Sequence, residues 1–244
     1  MTTRAEIRRW VKPFVASRAD IVLSQRAVLV TPVHHVARGM YFRSTSTKTY
    51  PEVAWFFELL FAAPGSWNAA FDRRFRPGES TAGDFPAKLE RTMQQSFEQY
   101  LLPVRSIADF HDFAIGPETR FTFLNLDDYG LEHGTVLAAL GRLDEAEALL
   151  QATIAETEAW AANEQRADDE LRRTKPRPRG TIILHVGRDK MKIVEVVREL
   201  LTYVRARDRA GIGTLLRQWE HARVRRREIE LLWEPTPFPV EADA

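Results

Sequence analysis

Asp127, Asp128, Glu132 and His133 place three carboxylates and an imidazole within about two helical turns, with Asp128 and Glu132 at i and i+4 on one face. Oxygen and imidazole donors at that spacing are the right chemistry for a divalent cation, provided that further ligands converge from elsewhere in the chain. The same four residues also make an ordinary acidic helix start, which the helix dipole favours. A second chemistry is offered by two runs of cations. Arg172, Arg173, Lys175, Arg177 and Arg179 form one, and Arg223, Arg225, Arg226 and Arg227 the other. Clustered cations neutralise phosphates, so these runs are the nucleic-acid or anion candidates. Neither interleaves the aromatic residues that stacking on single strands requires, and a solvated surface accounts for the same composition.

The remaining histidines suggest less. His111-Asp112, preceded by Asp109, resembles the adjacent pair of metal-dependent phosphohydrolases, but the companion histidines of that pattern are missing. His34 and His35 lie between strand candidates, where alternation turns neighbouring side chains to opposite faces. His185 precedes Gly187-Arg188-Asp189-Lys190 at a helix start, a setting for an anion or for plain solvation. The chain has no cysteine, hence no disulfide framework, thiolate site or cysteine nucleophile, and it fits a reducing cytoplasm. It holds no phosphate-binding glycine loop, dinucleotide fingerprint, nucleophile elbow, zinc-protease motif or calcium loop. Catalytic residues therefore stay unassigned and no cofactor is expected.

The elements that must position these residues change in character along the chain. Thr3 and Glu6 make a capping box before Ile7, Trp10, Val11 and Phe14, which predicts a helix that Pro13 should end or kink near Lys12. Residues 21–23, 27–33 and 36–42, rich in β-branched and aromatic side chains, predict short strands; 44–49 reads as a turn and 53–61 as a buried strand or a buried helix of the same length, with Trp55, Phe56 and Phe57 favouring the strand. Trp67, Phe71 and Phe75 add a further apolar segment. From Asp84, a cap with Pro86 in the first turn, the period becomes helical, and Ser106 with Asp109 caps a shorter helix. Leu131, Val136, Leu137 and Leu140, then Gly141, then Leu143, Ala146, Leu150 and Ile154 predict a helical hairpin. Residues 164–180 are polar and end in Lys175-Pro176-Arg177-Pro178-Arg179, an exposed loop. Val194 to Val204 and Leu215 to Leu232 continue as helices, and the proline-rich tail 235–244 should lie along the surface or be disordered.

The expected fold is α+β: an N-terminal helix with a small antiparallel sheet in residues 1–80, a predominantly helical region in 81–234, and the tail. The net charge of +1 conceals strong segregation: residues 121–170 carry 12 acidic and 2 basic side chains, and residues 171–227 carry 17 basic and 5 acidic. Internal pairing of the two segments explains this; a basic binding surface is the alternative. The first nineteen residues interleave arginines with apolar residues, unlike an export signal, and no apolar run reaches the length of about 18 residues that a span requires.

The segment Arg38-Gly39-Met40-Tyr41-Phe42-Arg43-Ser44, with Tyr50 and Trp55-Phe56-Phe57 after it, resembles a group of bacterial proteins of unknown function. Members show an arginine-glycine strand, a serine turn and a tryptophan-phenylalanine strand leading to proline-leucine, where this chain has Glu58-Leu59-Leu60. The resemblance implies a bacterial source and an early sheet. Residues 138–147 resemble the turn of tetratricopeptide repeat units, without a second copy about 34 residues away. The expectation for function is a non-catalytic cytoplasmic interaction or accessory protein, of immunity type among other options, with another protein as partner and no membrane. A nucleic-acid-associated protein using residues 171–227 and a metal-dependent enzyme with a dispersed site are the alternatives.

Overall fold

The computed structural model describes residues 2–43, 49–66, 70–116, 129–174 and 186–242, and the chain forms an α+β fold. It divides into two compact units. The first comprises Met1–Phe61, Asn68–Leu126 and Glu220–Thr236, the second Ala62–Trp67, Asp127–Trp219 and Pro237–Ala244.

In the first unit, helix α1 (Arg4–Ala16) starts at the expected capping box: the Glu6 amide donates to Thr3 Oγ1 at 3.2 Å and the Thr3 amide to the Glu6 carboxylate at 2.7 Å. Of the two outcomes expected at Pro13, an end or a kink, the end does not occur: the helix runs on to Ala16. The missing N–H of Pro13 would serve only the carbonyl of Arg9, an exposed residue, while Val11 and Phe14 on either side are buried and hold the last turn in place. Five antiparallel strands follow in sequence order: β1 (Ile21–Ser24), β2 (Ala27–Val30), β3 (Val36–Arg43), β4 (Glu52–Leu59) and β5 (Ala70–Phe75). The strand expected at 53–61 is β4. The turn expected at 44–49 and Trp67 fall largely outside the described residues.

Register sorts the side chains onto two faces. Arg38 pairs with Phe57, Met40 with Trp55 and Phe42 with Val53 on one face; Ala37 pairs with Glu58, Gly39 with Phe56 and Tyr41 with Ala54 on the other. The first face is covered by α2 (Phe85–Ser96), a π-helical turn at Phe97–Leu101 and α3 (Ile107–Ile115). There Trp55 stacks on Tyr100 at 4.8 Å and Phe57 meets Phe110 and Phe113 at 5.8 and 5.2 Å. The second face takes Val224, Ile229, Leu232 and Trp233 against Leu29, Ala37, Phe56 and Leu60. Because β4 is buried on both faces from Val53 to Leu59, it reads as a nearly continuous apolar run instead of an alternating one.

Asp84 precedes α2 as expected, but its carboxylate makes no cap; it is drawn to Lys88, 2.7 Å away, which holds it below the ordinary carboxylate value. Ser106 and Asp109 do form a capping box on α3. Burial alone would raise the Asp109 pKa, but the amides of Arg105 and Ser106, at 2.8 and 2.9 Å, and the Ser106 hydroxyl outweigh it and lower the value. The hydrogen bond from Arg18 likewise lowers Asp20, against burial. A carboxylate depressed in the folded state contributes stability above its unfolded pKa, about 3.9 for Asp, and loses it as pH falls through the folded value. Stability should therefore decline below about pH 4. Asp109→Asn is expected to be less stable at neutral pH yet to lose less between pH 5 and pH 2, as urea titrations at each pH would show.

The second unit contains α4 (Gly130–Ala139), α5 (Leu143–Thr174), α6 (Val186–Arg205) and the first half of α7 (Arg209–Arg227). The predicted hairpin is α4–α5, and Gly141 takes φ +77° at its turn, a conformation glycine adopts without penalty. Leu150, Ile154, Val194, Val197, Leu200 and Leu216 are among its buried side chains. Residues 164–174, expected in a loop, continue α5 as helix; residues 175–180 lie outside the described residues. Intrahelical hydrogen bonds satisfy the backbone of this polar stretch, so a helix can run on into solvent without an apolar face. The tail also departs from expectation: Phe238 and Val240 are fully buried, and the Glu241 carboxylate accepts from the Phe238 amide at 2.7 Å and from Arg217. Two apolar side chains in a short segment are enough to dock it despite its prolines.

Charge segregation is matched by ion pairs inside this unit. Arg207 reaches Asp144 at 2.5 Å and Glu147 at 3.0 Å, Arg205 lies 3.7 Å from Glu147, and Arg198 pairs with Glu158. Among the described residues no helix is long and apolar enough to cross a membrane.

Candidate functional site: an arginine-edged groove on the sheet

The second sheet face of the first unit is only partly covered, and a groove of about 660 Å³ opens beside the cover. Its floor is apolar: Leu29, Ala37, Phe56 and Ile229 are buried, and half-buried Tyr41 meets Phe56 edge-on at 5.7 Å. Its edge is polar and cationic, with Gln25, Arg26, Arg43, Glu58 and Arg227.

Each charged side chain reaches the groove from a different element. Glu58 is the only ionisable residue of the central β4 stretch 53–59, and at 5% exposure it needs a partner. It has two: Arg227 donates from Nε at 2.9 Å and from Nη2 at 2.7 Å, and Arg223 Nη1 lies 3.6 Å away. Burial pushes the Arg223 guanidinium below its ordinary pKa, and the Glu58 charge opposes that. Glu58 and Arg227 thus neutralise each other and Arg43 lies 3.6 Å from Glu52, which leaves Arg26 as the cation of the lining with no ion pair among the described residues.

Arg26 belongs to the two-residue turn between β1 and β2, closed by the Ser24–Ala27 pair. Its Nε donates to the Phe42 carbonyl at 3.0 Å, which fixes the guanidinium plane. Its Nη2 is buried and has no hydrogen-bond partner among the described residues. Arg43 approaches Glu52 only to 3.6 Å. Beside Arg26, Gln25 has φ 52° and donates at 2.8 Å to Glu228, which has φ 55°. Non-glycine residues at positive φ cost on the order of 1 kcal/mol, and such strain concentrates at functional sites.

The segment that carries Ile229 and the groove cover is tied down by a buried polar network. His35 Nδ1 lies 3.1 Å from Glu220 Oε1, Trp233 Nε1 donates to the same oxygen at 3.3 Å, and His35 Nε2 is 3.0 Å from the Thr236 hydroxyl. A proton on Nδ1 lets His35 donate to Glu220 beside the Trp233 bond. Val33 adds two backbone bonds, donating to Leu232 at 2.8 Å and accepting from Glu234 at 2.9 Å. His34 turns away from its neighbour to the Glu234 carbonyl, 3.1 Å off, so the two histidines do not act as a pair.

The other expected site residues divide as follows. Glu132 is buried and accepts from Ser66; His133 is half-buried on α4; Asp127 and Asp128 lie outside the described residues. Among the described residues no group of three or more His, Asp and Glu is placed to hold a metal. His111 is buried, with Nδ1 3.3 Å from Asp112, whose side chain is largely exposed. Lys175, Arg177, Arg179 and His185 lie outside the described residues, and Arg172 and Arg173 fall on the last turn of α5. In the second basic run, Arg223 and Arg227 serve Glu58 while Arg225 and Arg226 are exposed on α7. The groove itself was missed, although Glu58 signalled it: a lone carboxylate in an apolar strand implies a buried cation.

No family model, curated protein or solved structure matches the chain.

Proposed function

We propose that this chain is a non-catalytic accessory protein of the bacterial cytoplasm that works by binding another protein, and that the partner docks an acidic segment in the sheet groove. The observation that carries this reading is the combination of an apolar floor with Arg26 at its edge, a cation with no ion pair among the described residues. Such a surface complements a peptide bearing both apolar and acidic side chains. The strained Gln25–Glu228 contact and the buried tether through His35 and Glu220 support it, since both keep the groove open in one shape. A nucleic-acid reading has weaker support, because several arginines of 171–227 are engaged by Glu58, Asp144, Glu147 and Glu158.

Affinity capture from the native host with the wild-type chain and with Arg26→Glu tests the proposal. The wild type should retain one stoichiometric protein, and the variant, with unchanged circular dichroism, should lose it. Equal retention by both, or retention of nucleic acid alone, would contradict it.

A further inference from the structure

We infer that the solvent face of α1 binds the phosphate backbone of a duplex nucleic acid without reading its sequence, on a surface separate from the sheet groove and from the basic run 171–227. Arg4, Arg8 and Lys12 recur at every fourth residue of this helix, about 6 Å apart along its axis, and Arg9 stands beside them. All four are exposed, and none has an ion pair or a hydrogen bond among the described residues. The only carboxylate of the helix, Glu6, is spent on the Thr3 capping box. Arg4 with Arg8, and Arg8 with Lys12, are therefore like-charge neighbours at i and i+4, a cost to the helix that a bound polyanion removes. The helix cannot turn this face inward. Ile7, Val11 and Phe14 on its other side are buried, and the rings of Trp10 and Phe85 meet edge-on at 5.1 Å.

The composition of the face selects the partner. The remaining exposed residues of the helix are Ala5, Pro13 and Ala16. Such a surface offers no aromatic ring for stacking on unpaired bases, no exposed bulky apolar side chain for insertion into a bilayer, and no apolar centre of the kind a protein interface buries. Phosphate contacts need none of these, because they are electrostatic and independent of sequence. Three of the four cations are arginines, whose planar forks meet phosphate oxygens bidentately.

Fluorescence anisotropy of the full-length protein with a short labelled DNA duplex of mixed sequence tests the inference. Four neutralised phosphates predict a slope of log K against log salt of about −3.6, so affinity should fall about a hundredfold between roughly 50 and 200 mM salt. Arg4→Gln/Arg8→Gln should reduce that slope by about 2 and weaken binding by about tenfold or more at the lower salt, with an unchanged urea midpoint. Arg225→Gln/Arg226→Gln, which removes the same exposed charge from α7, should bind as the wild type does. A duplex of unrelated sequence should bind equally. Equal weakening by the two pairs of substitutions would assign the binding to net charge and overturn the inference, as would no binding at the lower salt. Tighter binding to one isolated strand would overturn the duplex assignment. Retention by vesicles of phosphatidylcholine and phosphatidylserine, lost with Arg4→Gln/Arg8→Gln and seen where the duplex does not bind, would put a membrane surface in its place.

Discussion

Replacing Glu58 by alanine is expected to destabilise the first unit by about 1–3 kcal/mol, the cost of removing a charged acceptor from buried and half-buried guanidinium groups. Arg223 is the reason. Its side chain is only 13% exposed with Glu58 at 3.6 Å, so the substitution removes a charge that offsets part of the cost of burying this guanidinium. Arg227 is half exposed and can turn to water, so its share of the loss is small. The double variant Glu58→Ala/Arg223→Met should recover part of the deficit, because an apolar side chain of similar reach carries no charge for burial to disfavour. Urea unfolding of the single and double variants measures this directly. A single variant as stable as wild type would mean that the Glu58–Arg223 pair does not organise the groove.

Replacing Gly39 by alanine is expected to cost about 3 kcal/mol, at the upper end for forced overpacking. A Cβ at this position would sit 2.2 Å from the Val28 carbonyl oxygen and 3.1 Å from the Leu29 Cα, and both are backbone atoms of the neighbouring strand. Backbone in mid-sheet cannot step aside as a flexible side chain can, so the sheet itself must deform. The deformation would fall on the strand pair that carries Leu29, Ala37 and Tyr41, and the variant should therefore bind its partner more weakly even where it remains folded. Unfolding curves for Gly39→Ala and the neighbouring Ala37→Gly, which only removes a methyl group, separate this effect from general sensitivity of β3.

Much of the fold was legible from local signals. The Thr3–Glu6 and Ser106–Asp109 capping boxes, the aromatic run of β4 and the glycine between α4 and α5 each act over a few residues, and each appears where the sequence places it. What escaped depended on contacts distant in the chain. Pro13 is tolerated because buried neighbours anchor its turn, and Phe238 is buried by a unit formed mainly from residues far earlier in the sequence. The groove was the least legible feature. Arg26, Arg43, Glu58 and Arg227 come from a hairpin turn, two strands and a helix end up to 200 residues apart, with no spacing that a motif could record. The basic run 223–227 was visible, but only the β4 register shows that two of its arginines face inward to Glu58.

The central claim is that the groove is where a protein partner docks, and photo-cross-linking from within it is the most direct test. A benzoylphenylalanine replaces Ser24, at the groove, and in a second protein Arg91, exposed on α2 away from the groove lining. The account predicts that Ser24 captures one partner through an acidic segment, that excess unmodified protein competes for it, and that Arg91 captures nothing comparable. The same products from both positions, or capture from Arg91 alone, would contradict it.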